Sequence, residues 1–305
     1  MKKKILITGG SGLLGTNWAI WNKDKHNIFL GINKINVKIQ SALSVKVNFS
    51  TLKNTEKTII DLNPDVVINT IGLTNVDYCE EKPHLSKFAN EIIPSFIAQI
   101  CNKYDIPLVH ISTDHLFSGN IAFATEEERI KPLNEYAKSK ARGEKLVSKY
   151  CPKSLIIRTN FFGWGPYYRQ SFSDFIIFNL RQKKEIILFN DIYFSPILIE
   201  YLILIIYELI EIDSCGIFNV VSDDRLSKYD FGIKLAKRFD LDLKLIKKGS
   251  IEDLTHLVAR PKDMSLSNKK LLKYLNKSIG SVDHQISELY NQQSKIRENL
   301  ITVIN

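Results

Sequence analysis

Over residues 1–160, short runs of aliphatic and β-branched residues alternate with longer stretches whose apolar positions recur at helical spacing. That alternation predicts a parallel sheet with crossover helices. Strands are expected at 4–8, 28–32, 45–48, 66–70, 108–113 and 154–159, with two more at 186–189 and 216–220. The most apolar later stretch, 197–212, is interrupted by Glu200, Glu208 and Glu211. It falls short of the ~20 residues needed to cross a bilayer, so a buried or amphipathic helix is expected. Phe172, Phe175 and Phe178 recur at spacing three and read as core-facing rather than as a ligand stack.

Composition and charge narrow the classes. A chain of 305 residues, 44% hydrophobic and 25% charged, can bury a substantial core in one large or two modest domains. The net charge of +9 would suit polyanions, but beyond Lys2–Lys4 the lysines are scattered without tight runs or aromatic interleaving. A solvated surface is expected, with no nucleic-acid and no membrane partner. The apolar run after the initial lysines covers only Ile5, Leu6 and Ile7, too short for a secretion signal. Cys79, Cys101, Cys151 and Cys215 lie far apart with no CxxC pair, which suggests free thiols in a reducing cytoplasm and no metal site.

The first strand runs into Thr8-Gly9-Gly10-Ser11-Gly12-Leu13-Leu14-Gly15 and then into a helix. Gly9 suits the sharp turn, Gly12 lets backbone approach a pyrophosphate, and Gly15 lets the helix pack close to the sheet. The helix start offers free N–H groups to phosphates, so a nicotinamide dinucleotide is expected here. An acidic residue at the end of the second strand would bind the ribose 2′-hydroxyl of NAD, whereas a basic one accepts the extra phosphate of NADP. That region reads Gly31-Ile32-Asn33-Lys34, without a carboxylate. Lys34 or, less directly, Lys38 would meet the phosphate, so NADP(H) is preferred and NAD(H) stays open.

Tyr136 and Lys140 stand four apart in an expected helix, with both heads on one face. An ammonium beside a phenol would lower the tyrosine pKa and make Tyr136 a general acid. Upstream, the strand at 108–113 ends on the hydroxyls of Ser112 and Thr113. Thr113 is the better placed to hydrogen-bond a substrate carbonyl as negative charge develops on it.

Taken together, the glycine turn, the run Ile111-Ser112-Thr113-Asp114-His115, Tyr136-Ala137-Lys138-Ser139-Lys140 and Ile157-Arg158-Thr159 resemble the dTDP-4-dehydrorhamnose reductases, within the extended short-chain dehydrogenase/reductases. Asn69, Asp77, Glu80, Asn90, Asp191, Pro196, Arg260 and Pro261 extend the resemblance over nearly the whole chain. It implies an α/β fold with a Rossmann-type doubly wound sheet over 1–168, completed by 185–222. A smaller α/β substrate domain takes 169–184 and 223–305, with the active site in the cleft between.

The resemblance also implies a Thr113, Tyr136, Lys140 triad that reduces the 4-ketone of a nucleotide sugar. Lys140 would also hold the nicotinamide ribose. Gly9, Gly12 and Leu14 fall at the pyrophosphate, Asn48 and Phe49 at the adenine end, and Asn69, Thr70 and Ile71 at the middle of the dinucleotide; Gly15, Asn33 and Lys34 join the expected cofactor residues from the reading of the glycine turn and the second strand above. Ser112, His115, Asn160 and Arg260 fall to the substrate. His115 stands where the family usually has tyrosine, and the run from Asn160 to Gly165 follows the family loosely, so the sugar and the pocket shape are where this chain departs. Arg260 has two readings, a diphosphate ligand or a structural partner of a carboxylate. A nucleotide-sugar epimerase or dehydratase on the same scaffold, and a non-catalytic regulatory subunit, are the alternatives. A homodimer is left open.

Overall fold

The computed structural model describes residues 2–22, 25–40, 42–253, 257–294 and 296; the end of the expected 223–305 segment lies outside them. Seven parallel strands form the main sheet: β1 Lys4–Ile7, β2 Asn27–Ile32, β3 Ala42–Lys46, β4 Val66–Asn69, β5 Leu108–Ile111, β6 Leu155–Arg158 and β7 Gly216–Asn219. Their order is β7-β6-β5-β4-β1-β2-β3. Ile5, Leu6 and Ile7 are fully buried, as a strand covered by helices on both faces requires. The order reverses between β1 and β4, and there a crevice opens at the carboxyl ends of the strands.

The third strand is a correction. Expected at 45–48, it runs Ala42–Lys46 and pairs with β2 from Ile28 opposite Ala42 to Ile32 opposite Lys46. As an edge strand half covered on its faces, it tolerates Ser44 and Lys46 and lacks the apolar run that marks a central strand. A second correction concerns the return to the sheet. Gly216–Asn219 does join it beside β6, but Ile186–Phe189 pairs in parallel with Ile246–Gly249 in a separate two-stranded sheet.

The apolar stretch at 197–212 forms the helix Ile199–Glu211, which buries Leu202, Ile203, Ile206 and Leu209. The phenylalanine triplet is only partly core. Phe172 stacks on Phe231 with ring centroids 5.8 Å apart, and Phe178 approaches Trp164 at 6.4 Å, but Phe175 is exposed. The buried stripe of this helix is Ser173, Asp174, Ile176, Ile177 and Leu180, and at about 100° per residue Phe175 falls on the opposite face with Phe172 and Phe178 at its two edges.

Candidate active site

The glycine turn is held by backbone packing. The Gly12 N–H donates to the Gly9 carbonyl at 3.0 Å, closing the turn before the helix Leu13–Asn22. A Cβ on Gly9 would lie 2.6 Å from Thr70 Oγ1, and one on Gly15 would lie 2.6 Å from the Gly9 carbonyl oxygen. Across the crevice, Asn69 Oδ1 accepts from the Thr8 hydroxyl at 2.8 Å and the Ile71 N–H at 3.2 Å. Its amide nitrogen lies 3.0 Å from His110 Nδ1. Burial, and then the charge of Lys140, hold His110 well below the usual histidine pKa. Asn69 therefore ties the ends of β1, β4 and β5 together.

A cavity of about 720 Å³ runs from this turn to the end of β5. Its wall includes Gly9, Gly12, Leu14, Gly15, Thr70 and Ile71 at one end, and Thr113, Tyr136 and Lys140 at the other. Two side chains from the following segment cross its mouth: the Tyr168 hydroxyl donates to the Ser11 carbonyl at 2.9 Å, and Arg169 Nη2 to Thr74 Oγ1 at 2.9 Å. The Thr70 hydroxyl on this wall is buried without a partner. A glycine cradle, a helix start and an unsatisfied hydroxyl fit a dinucleotide. The other expected dinucleotide residues stand apart from the wall. Asn33 and Lys34 are exposed beyond β2, Asn48 accepts from the Ser50 N–H, Phe49 is buried in the core, and Asn69 is spent on the strand ends.

The second half of the site rests on the helix Glu135–Tyr150. Asn134 caps it by accepting from the Ala137 N–H at 2.9 Å, which places Tyr136 in the first turn and Lys140 one turn on. The helix is clamped to the sheet by Arg158 at the end of β6. Arg158 and Glu144, both nearly fully buried, share three hydrogen bonds of 2.9–3.3 Å. On the other side the helices touch, since a Cβ on Gly143 would fall 2.1 Å from the Asn90 carbonyl oxygen.

Tyr136 and Thr113 line the same stretch of wall, and the Lys140 ammonium donates to the Ile111 carbonyl at 2.7 Å. The expected effect of lysine on tyrosine is corrected here. Burial is the leading influence on Tyr136 and pushes its pKa above the ordinary phenol value, with the Thr113 hydroxyl pulling the other way. Burial likewise lowers Lys140 to about 8, opposed by Glu144. The phenol thus keeps its proton at neutral pH, as a donor must.

Beyond Thr113 the wall becomes polar. Asp114, 2% exposed, accepts from Asn160 Nδ2 at 2.6 Å and from the Thr113 hydroxyl at 3.3 Å. His115 packs edge-on against Tyr136, with ring centroids 5.5 Å apart, and burial lowers its pKa. His115 Nδ1 and the hydroxyls of Ser112 and Thr159 are buried without partners, and all three residues line the cavity. Arg260 Nη2 lies 2.6 Å from Asp77 Oδ2, and both side chains keep some exposure to solvent. Asp114, Phe161 and Arg169, all on the cavity wall, went unassigned in the sequence. Asp114 sits inside the Ser112-Thr113-Asp114 run, whereas Phe161 and Arg169 follow no motif.

The family model described as the RmlD substrate binding domain matches residues 2–294, and the chain belongs to that family. It is 28% identical over 263 residues to the "Probable low-salt glycan biosynthesis reductase Agl14" of Haloferax volcanii, covering 84% of this chain and 87% of that one. It is 26% identical over 234 residues to the dTDP-4-dehydrorhamnose reductase of Escherichia coli K12, covering 73% and 78%. The solved dTDP-4-dehydrorhamnose reductase of Bacillus anthracis, in complex with NADP, superposes with a TM-score of 0.85 at 22% identity over 96% of this chain and all of that one.

Proposed function

We propose that this member of the RmlD substrate binding domain family is an NADPH-dependent reductase of the 4-ketone of a dTDP-linked deoxysugar, as its relatives named dTDP-4-dehydrorhamnose reductase are. The observation that carries it is that Thr113, Tyr136 and Lys140 share one wall of a cavity continuous with the glycine turn. When bound, the nicotinamide supplies the hydride that a ketone needs, and the protein supplies the rest.

Gly9, Gly12 and Gly15 leave room for the diphosphate of the dinucleotide, and the helix start at Leu13 offers it unpaired N–H groups. Thr113 and Tyr136 hold the ketone oxygen, and Tyr136 gives it a proton as charge develops. Lys140 stands one turn behind the phenol and takes the ribose hydroxyls of the nicotinamide. Lys34, exposed at the end of β2 with no carboxylate beside it in Gly31-Ile32-Asn33-Lys34, favours the phosphate of NADP over the bare ribose of NAD.

Oxidation of NADPH and NADH, followed by absorbance, tests this with dTDP-4-keto-6-deoxymannose beside the UDP- and GDP-linked 4-keto sugars. Turnover with the dTDP sugar and NADPH is the expected result. Tight dinucleotide binding with no turnover of any of these sugars would overturn the reading.

A further inference from the structure

Beyond β6 the chain loops over the cavity before it enters the helix Phe172–Arg181, and this loop is closed at its base. Asp174, fully buried, accepts the N–H groups of Gly165 and Ser171 on one carboxylate oxygen, at 2.8 and 2.9 Å. Between those ends the Arg169 N–H donates to the Pro166 carbonyl at 2.8 Å, so residues 166–169 form a tight turn. The turn sends two side chains to the two banks of the crevice between β1 and β4. The Tyr168 hydroxyl donates to the Ser11 carbonyl in the glycine turn, and Arg169 Nη2 to Thr74 Oγ1 in the loop after β4, each at 2.9 Å. Ser11, Thr74, Tyr168 and Arg169 all line the cavity.

The guanidinium has more to give than Thr74 takes. Its planar fork carries several N–H donors, and among the described residues the Thr74 hydroxyl is its one side-chain hydrogen-bond partner. Lys140, the other cationic side chain among the described residues of this wall, is spent on the Ile111 carbonyl. Arg169 is thus the positive charge left for an anion, beside a glycine turn that offers only neutral N–H groups to a diphosphate.

We infer that Arg169 is a ligand of the dinucleotide's diphosphate, donating to its oxygens from the loop that spans the crevice. The inference rests on the NADPH reading above, and adds a charged side chain to a subsite otherwise made of backbone. The diphosphate of a nucleotide sugar offers the same oxygens, but both anchors of the loop, Ser11 and Thr74, belong to the segments that build the dinucleotide wall. Thr74 holds the fork and Asp174 holds the loop, so little freedom is lost on binding.

The test is an equilibrium titration of the native protein, Arg169→Met and Arg169→Lys with three ligands: NADPH, 2′-phospho-ADP-ribose, which keeps the diphosphate, and adenosine 2′-phosphate, which lacks it. In Arg169→Met the first two should bind about tenfold more weakly, the low end for a charge-assisted bond because the side chain is open to water. Adenosine 2′-phosphate should change by less than about twofold, and Arg169→Lys, which keeps the charge without the fork, should recover part of the loss. The KM for the keto sugar at saturating NADPH should hold. Unchanged affinities in Arg169→Met, or an equal weakening of all three ligands, overturn the inference and leave Arg169 a tie between loops. A raised KM for the sugar with NADPH affinity intact overturns it too, by giving the guanidinium to the diphosphate of the substrate. Failure of the native protein to bind NADPH overturns instead the reading on which it rests.

Discussion

The two ends of one cavity are made of different material. At the dinucleotide end the wall is largely backbone: a glycine turn, a helix start, and strand ends tied by Asn69. At the sugar end it is side chains: Asp114 accepts from Thr113 and Asn160, and His115 packs its ring against Tyr136. A backbone wall recognises what every dinucleotide shares and fails when any atom is added. A side-chain wall can be rewritten one residue at a time, so the sugar can change within a family while the cofactor site stays the same. That difference can be broken or sharpened by experiment.

The largest effect is expected at the sugar end. Tyr136→Phe removes the proton donor and should lower kcat by about 10³-fold while leaving dinucleotide affinity intact, measured by steady-state kinetics and fluorescence titration. Next comes Gly9→Ala, whose Cβ would meet Thr70 Oγ1 at 2.6 Å and the Thr70 carbonyl oxygen at 2.9 Å. Overpacking against fixed backbone costs about 1–3 kcal/mol, so NADPH affinity should weaken by about 5- to 150-fold. Loss of kcat with affinity retained would break the contrast between the two ends.

A smaller effect is expected from pH. Lys140 discharges near 8 rather than at the 10.5 of an exposed lysine, so NADPH affinity should fall as pH rises through about 8. The native protein binds fewer protons than the unfolded chain between those two values, so the contribution of Lys140 to stability rises with pH in that window. Thermal melts without ligand and kcat/KM profiles for NADPH separate the two. The smallest effect is expected at His115. Burial lowers its pKa, with Lys228 and Arg260 acting in the same direction against Asp114, so the imidazole sheds its proton below the ordinary histidine value. The kcat profile should show no inflection near 6.5, and His115→Asn should change kcat less than about fivefold, because the ring packs against Tyr136 and does not carry the proton.

Much of the first domain was legible because its elements obey one period each. Ile5, Leu6 and Ile7 followed by the glycine turn read as a buried strand entering a helix, and Tyr136 and Lys140 read as neighbours because four residues make about one turn. The misreadings have physical causes. Ile186–Phe189 has the composition of a central strand, and only its pairing with Ile246–Gly249, far along the chain, places it elsewhere. Asn48 and Phe49 follow an edge strand whose true limits are set by its partner β2 rather than by its own residues. Arg260 was readable as a cation, and which carboxylate it meets, Asp77, is set by a contact across 183 positions that no local pattern shows.

The bonds from Tyr168 to Ser11 and from Arg169 to Thr74 lie across the cavity mouth, where Arg169 is exposed. Hydrogen bonds of this kind are worth about 0.5–1.5 kcal/mol each, only a few times thermal energy. Parting both leaves the sheet and the clamp between Arg158 and Glu144 untouched. The two bonds are thus a weak latch across the wall, one that can part without any of the core coming undone.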